Sequence, residues 1–200
     1  MIGDQFIFIH IPRTGGTSFE RLLLSLETTT PWDSLNTKRL VDQCVGPVKH
    51  YKASRIQELV GRERWQATLK LSIIRNPFDK VISHFFQPYY RDINALSGRS
   101  LESFLRSYAP APHEEGRTCS DYLDREIDLI IRYENYDSEV SKLLSPYGIQ
   151  LAQIRERIGA VREMFSADAG NNYRTFYSTE TKQQVEKLYK DDLERFGYIF

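Results

Sequence analysis

One stretch constrains this chain more than any other: Phe6-Ile7-Phe8-Ile9-His10-Ile11-Pro12-Arg13-Thr14-Gly15-Gly16-Thr17-Ser18-Phe19. An apolar run of strand character stops at Pro12, turns through two glycines and restarts as a helix, with Leu22, Leu23 and Leu26 recurring at helical spacing. A strand, a tight glycine turn and a helix start aim backbone N–H groups and a helix N-terminus at one point, which suits a phosphate-like anion. Thr14, Thr17 and Ser18 add hydroxyl donors, and Arg13 adds a fixed positive charge. The plainer reading is a strand-to-helix turn in which Gly15 and Gly16 only relieve steric strain.

Further strands and helices alternate behind this opening. Leu69 to Ile74 is a second clear strand, and it runs into Arg75-Asn76-Pro77-Phe78-Asp79. There Asn76 can cap, Pro77 suits the first helical position and Asp79 favours the positive end of the helix dipole. Ile127 to Tyr133 is a third strand, and Pro47 to Lys52 a short one. Ser54 with Gln57 has capping-box spacing, and Gly61 is a helix stop. A helix is expected around Leu101 to Tyr108, a weak one over Ile154 to Phe165, and a long amphipathic one capped by Ser178 at the end. Tyr89 to Gly98 and Pro110 to Thr118 read as loops, the latter a candidate lid. The alternation argues for an α/β layer structure around a mainly parallel sheet, with residues 1–200 as one domain.

Charge limits the choice of partner. The 27 basic and 27 acidic residues balance, so any anion site is local and broad nucleic-acid binding is not expected. Cys44 and Cys119 have no metal-ligand spacing and read as reduced thiols, with one disulfide between them as the alternative. No run approaches membrane-spanning length and no basic-then-apolar leader is seen, so the expectation is a cytoplasmic protein, or a soluble fragment trimmed of an anchor.

In open parallel sheets ligands sit beyond the carboxyl ends of the strands. The three clearest strands each reach an arginine there, Arg13, Arg75 and Arg132. Together they suggest one electropositive crevice for a ligand with more than one anionic group. The loop lacks the Gly-Lys-Ser/Thr of a triphosphate-binding loop. The neighbouring strands end in arginine rather than in the acidic residue that would hold magnesium. A phosphate-like group held without metal, and a second anion on Arg75, fit better.

On these residues the chain resembles the sulfotransferases. Pro12 to Ser18 is similar to the loop by which they grip the 5′-phosphosulfate of 3′-phosphoadenosine 5′-phosphosulfate (PAPS). Ile74 to Ser83 is similar to their 3′-phosphate motif, and Arg132 to Tyr136 with Tyr189 to Phe200 resembles the carbohydrate-sulfotransferase branch. One departure is Arg13, where many members carry lysine. The resemblance implies a P-loop-like three-layer fold with a mainly parallel central sheet flanked by helices. It also implies sulfuryl transfer from PAPS to an acceptor hydroxyl, on a carbohydrate or small metabolite, leaving PAP. Arg13, Thr14, Gly15, Gly16, Thr17, Ser18, Arg75 and Ser83 would hold the nucleotide without metal, and Arg13 would also serve catalysis.

A base must accept the acceptor's proton. His10, inside the first strand, suits a packing role, while His84 and His113 suit surface roles. His50 ends the short strand ahead of a helix, where related glycan sulfotransferases carry a catalytic histidine. A neutral imidazole is a suitable base near neutral pH. Glu20 and Lys52 are the fallback candidates. Two rival readings remain at this level, a P-loop nucleotide kinase or phosphatase and a PAP-binding module without turnover.

Overall fold

A computed structural model describes residues 6–27, 50–87, 100–108, 115–148, 150–152 and 173–200. Cys44, residues 47–49, the Tyr89 to Gly98 loop, His113 and the weak 154–165 helix lie outside the described residues.

Phe6–Ile9 (β1) is buried along its whole length, and Leu69–Ile74 (β2) is buried from Lys70 onward. Both faces of such strands must be covered, which is why they read as unbroken apolar runs. Among the described residues they pair parallel with Leu129–Arg132 (β3) in the order β1-β2-β3. The register sets Phe6 against Leu69, Ile9 against Ser72 and Ile74 against Arg132.

Period-two alternation then sorts side chains into two cores. Phe6, Phe8, Leu71, Ile73 and Ile131 pack on one face with Phe19 and Leu22 of Gly16–Glu27 (α1). Val140 and Leu144 of the later helix Tyr136–Leu144 join them. On the other face Ile7, Ile9 and Ile74 meet Ile56 of Ala53–Val60 (α2) and Trp65 of Arg62–Ala67 (α3). The expected α/β sheet flanked by helices is therefore present.

The expected capping at Asn76 is present. Its side chain accepts the Phe78 N–H, Pro77 opens the helix Pro77–Phe85 (α4), and Arg75 ends up at the mouth of the sheet. α4 packs with Leu101–Arg106 (α5) and with Val185 and Tyr189 in a third apolar cluster.

Three local expectations need correction. Lys52, not Ser54, caps α2, and it gives no side-chain cap bond. The work passes to distant carboxylates, since Glu115 accepts the Lys52 N–H and Asp124 accepts the Ser54 N–H. Residues 115–118 of the expected loop fold into a cap: Thr118 forms a capping box with Asp121 for the short helix Cys119–Tyr122 (α6). The terminal helix starts at Ser178 as expected, but breaks at Tyr189 into Thr179–Leu188 (α8, with Tyr136–Leu144 as α7) and Lys190–Phe196 (α9).

The break turns α9 onto α6. Asp192, fully buried, accepts the N–H groups of Cys119 and Ser120, each at 2.7 Å. Arg195 donates to the Leu123 carbonyl at the far end of α6. The end of α9 and the residues beyond it return to the strand ends, where Arg132 donates to the Phe196 carbonyl and Asn76 to the Ile199 carbonyl. Asp192→Ala would leave two buried amides without an acceptor, a loss of about 2–4 kcal/mol. Urea unfolding checks this; a midpoint unchanged at constant slope would show that the clamp adds no stability.

Candidate active site

The turn after β1 is shaped by what stands on either side of it. Gly15 has φ of 91°, and a Cβ there would lie 2.7 Å from the Tyr133 ring. A Cβ on Gly16 would lie 2.3 Å from the His10 ring. Both positions therefore require glycine for space, and Gly15 for conformation as well. Arg13 has φ of 65°, the left-handed region, which costs a non-glycine residue about 1–3 kcal/mol and is found where function demands it.

Beside this turn opens a cleft lined by His10, Arg13, Gly15 to Ser18, Arg75, Ser83 and Tyr133. It joins the carboxyl ends of β1 and β2 to the N-terminus of α1, whose first N–H groups lack intrahelical acceptors. Seven of the eight residues expected to hold the nucleotide line it. The exception is Thr14. Its side chain is fully buried and its hydroxyl donates to the Ile11 carbonyl, so it braces the turn instead of facing the cleft.

The two arginines are held by complementary partners. Arg75 is 4% exposed, donates from Nε to Asp79 Oδ2 at 2.7 Å and lies over the Tyr133 ring at 4.2 Å. Arg13 donates from Nη2 to the Ser83 hydroxyl and carbonyl, both at 2.8 Å. The Arg13 carbonyl in turn accepts from Arg75 Nη1. Loop and second motif thus touch, and both present guanidinium groups to one space. Ser83 is buried at the cleft wall.

Arg132 does not join them. It reaches the C-terminal segment, stacks over Tyr198 and lines a separate cavity with Asn76, Asp79 and Glu134. The crevice therefore has two strand-end arginines, because β3 ends a register step away and its arginine serves the α9 clamp.

Two of the histidines, His10 and His84, differ from expectation. His10 does pack inside the fold, yet it also lines the cleft, with Nδ1 2.7 Å from Glu20 Oε1. His50 forms a lone strand-type bridge and stands edge-on to His10, ring centroids 4.6 Å apart. Its Nδ1 lies 2.9 Å from the His10 carbonyl, which can only accept, so Nδ1 carries hydrogen and the basic lone pair of the neutral ring is on Nε2. His84 is half-buried rather than superficial, bonded to the Tyr108 hydroxyl. Burial first, then Arg13 and Lys80, lower its pKa to about 4, so the ring is neutral at neutral pH. Cys119 is a free buried thiol pushed up to about 12 by burial. Among the described residues no group of three or more His, Cys, Asp or Glu is placed to hold a metal ion.

Two contacts here escaped the sequence reading. The four-residue spacing from Arg75 at the strand end to Asp79 in the first turn of α4 signalled their pairing. Nothing local marked Tyr133, which reaches the site only because β3 lies beside β2.

The fold is shared with a solved structure, that of mouse sulfotransferase SULT7A1 complexed with PAP. The TM-score is 0.58 at 15% identity, over 95% of this chain and 84% of that one. No curated protein matches the chain. The model of the Sulfotransferase family matches residues 3–124, more than half of the 200, and the chain belongs to that family.

Proposed function

We propose that residues 1–200 form one PAPS-dependent sulfotransferase domain that moves a sulfuryl group to an acceptor hydroxyl, on a carbohydrate or small metabolite, and releases PAP. The observation that carries this reading is the single cleft joining the glycine turn to Arg75 and Ser83. One ligand with two separated anionic groups can engage both ends of it. The mouse sulfotransferase of similar fold is complexed with PAP, such a ligand. The likeness of Arg132 to Tyr136 and of the C-terminal segment to the carbohydrate branch favours a glycan acceptor. The buried Cys119 thiol suits a reducing, cytoplasmic setting. No described helix is long and apolar enough to cross a membrane.

In this reading the amides at the start of α1, with the Thr17 and Ser18 hydroxyls, hold the 5′-phosphosulfate, and Arg75 and Ser83 hold the 3′-phosphate. Arg13, between them, stabilises charge that develops on the leaving phosphate as the sulfur–oxygen bond to it breaks. His50 takes the acceptor's proton on Nε2 as the new sulfur–oxygen bond forms. The His10 carbonyl keeps His50 in the tautomer that this step needs. Positioning and charge stabilisation do the rest.

Ligand choice tests the nucleotide assignment. PAP should raise the melting temperature far more than AMP or ATP, with about 2.7 kcal/mol of stabilisation at a hundredfold excess over Kd. Equal shifts with AMP and PAP would remove the role given to Arg75 and Ser83.

Steady-state kinetics separate binding from chemistry. Arg75→Ala and the milder Ser83→Ala should raise the KM for PAPS and spare kcat, since they touch a part of the nucleotide that does not change. His50→Ala should leave PAP affinity intact and lower kcat about 10²–10⁴-fold. Arg13→Ala should harm both. A His50→Ala enzyme with near-normal kcat would make His50 structural and return the search for the base to Glu20 and Lys52.

A further inference from the structure

The Glu20–His10 pair has no task in the reaction as described, although it borders the phosphate loop. Its geometry fixes a proton count. His10 Nδ1 and Glu20 Oε1 are 2.7 Å apart, and His10 is 3% exposed. Two lone pairs cannot face each other at that distance, so one proton lies between these atoms in every state. The opposite edge of the ring, Cδ2 and Nε2, abuts the turn: a Cβ on Gly16 would lie 2.3 and 2.5 Å from those two atoms. Gly16 is the first residue of α1, and both Gly16 and His10 line the cleft.

An anion seated at the start of α1 therefore meets the Nε2 edge of His10. With a single proton on the pair, Nε2 turns a lone pair toward the anion. With a second proton it becomes a donor, and the Glu20 carboxylate balances the charge, as a carboxylate does for an imidazolium in a hydrolase triad. Among the described residues, groups bearing on the ring include His50 from the strand bridge, edge-on at 4.6 Å, and Arg13, Arg75 and Tyr133 around the same cleft. We propose that His10 is the titrating cation of the phosphate-loop subsite, held as an imidazolium by Glu20 whenever an anion occupies the loop. This rests on the sulfotransferase reading only for the identity of that anion. It also gives a role to Glu20 other than that of a spare base. A lone carboxylate next to the loop would repel the ligand, and pairing through His10 converts it into the partner of a donor.

Two measurements decide it. Ring-nitrogen NMR of histidine-labelled protein, with His10 assigned by its loss in His10→Gln, should show both His10 nitrogens protonated in the PAP complex at neutral pH. Calorimetry of PAP should then compare the wild type with His10→Gln, whose amide can still donate to Glu20, from about pH 6 to about pH 9. Taking the ratio of affinities cancels titration of the phosphates, and the ring-nitrogen NMR follows His50 separately. The ratio should fall by up to about tenfold per pH unit as pH rises past the pKa of His10 in the free protein. In Glu20→Gln the fall should begin at lower pH. A flat ratio with His10 singly protonated in the PAP complex overturns the inference and leaves the nucleotide reading intact. If PAP does not bind, the same NMR with inorganic sulfate decides: an imidazolium formed on sulfate binding supports His10 while the nucleotide reading fails. A His10 indifferent to sulfate overturns it too.

Discussion

The close approach of the chain to itself at Gly15 and Gly16 is the constraint on which the rest of the site depends. Tyr133 from the end of β3 and His10 from the end of β1 occupy the volume that side chains would take at these positions. Because the turn is held between those rings, α1 starts at the mouth of the sheet with its first amides toward the cleft. The same rings serve the site directly. Tyr133 carries the Arg75 guanidinium on its face, and His10 carries Glu20 on one edge and the loop on the other. The proposed anion site is thus built from the packing contacts that make the turn possible, and its geometry cannot relax without disturbing the core.

A second constraint keeps the two arginines in one space. Parallel pairing sets β1 and β2 in register, so that the segments leaving both strands emerge side by side. Asn76 caps α4 on one side and is tied to Ile199 on the other, and Glu134 accepts both the Asn76 N–H and the Tyr198 hydroxyl. The C-terminal segment, anchored by Asp192 to α6, therefore braces the turn that carries Arg75. Residues far from the chemistry fix the separation between the loop and the second motif. A ligand with two anionic groups is sensitive to that separation.

Local signals made much of this legible before any coordinates. The apolar runs of β1 and β2, the glycine turn and the Asn76-Pro77 helix start depend on neighbours in sequence, and they stand where the residues placed them. The differences share a cause. Thr14 has the right chemistry for an anion, but its burial was set by the fold of the turn, which gave its hydroxyl to Ile11. Ser54 matched a cap, yet carboxylates more than sixty residues away met those amides instead. Arg132 sat at a strand end like the others, and tertiary contact with Phe196 took it elsewhere. The contact of Tyr133 with Arg75 and the Glu20–His10 pair became visible only with β3 beside β2 and α1 packed against β1. Family membership rests on the match over residues 3–124, which contains both motifs.

The central claim is that one cleft receives both phosphates of a single nucleotide, in a defined orientation. A crystal structure of the PAP complex tests it most directly. The account predicts the 5′-phosphate against the Gly15 to Ser18 turn and the 3′-phosphate on Arg75 and Ser83, with Arg13 drawn from Ser83 toward the ligand. PAP bound in the reverse orientation, or in the separate cavity lined by Arg132 and Glu134, would contradict it.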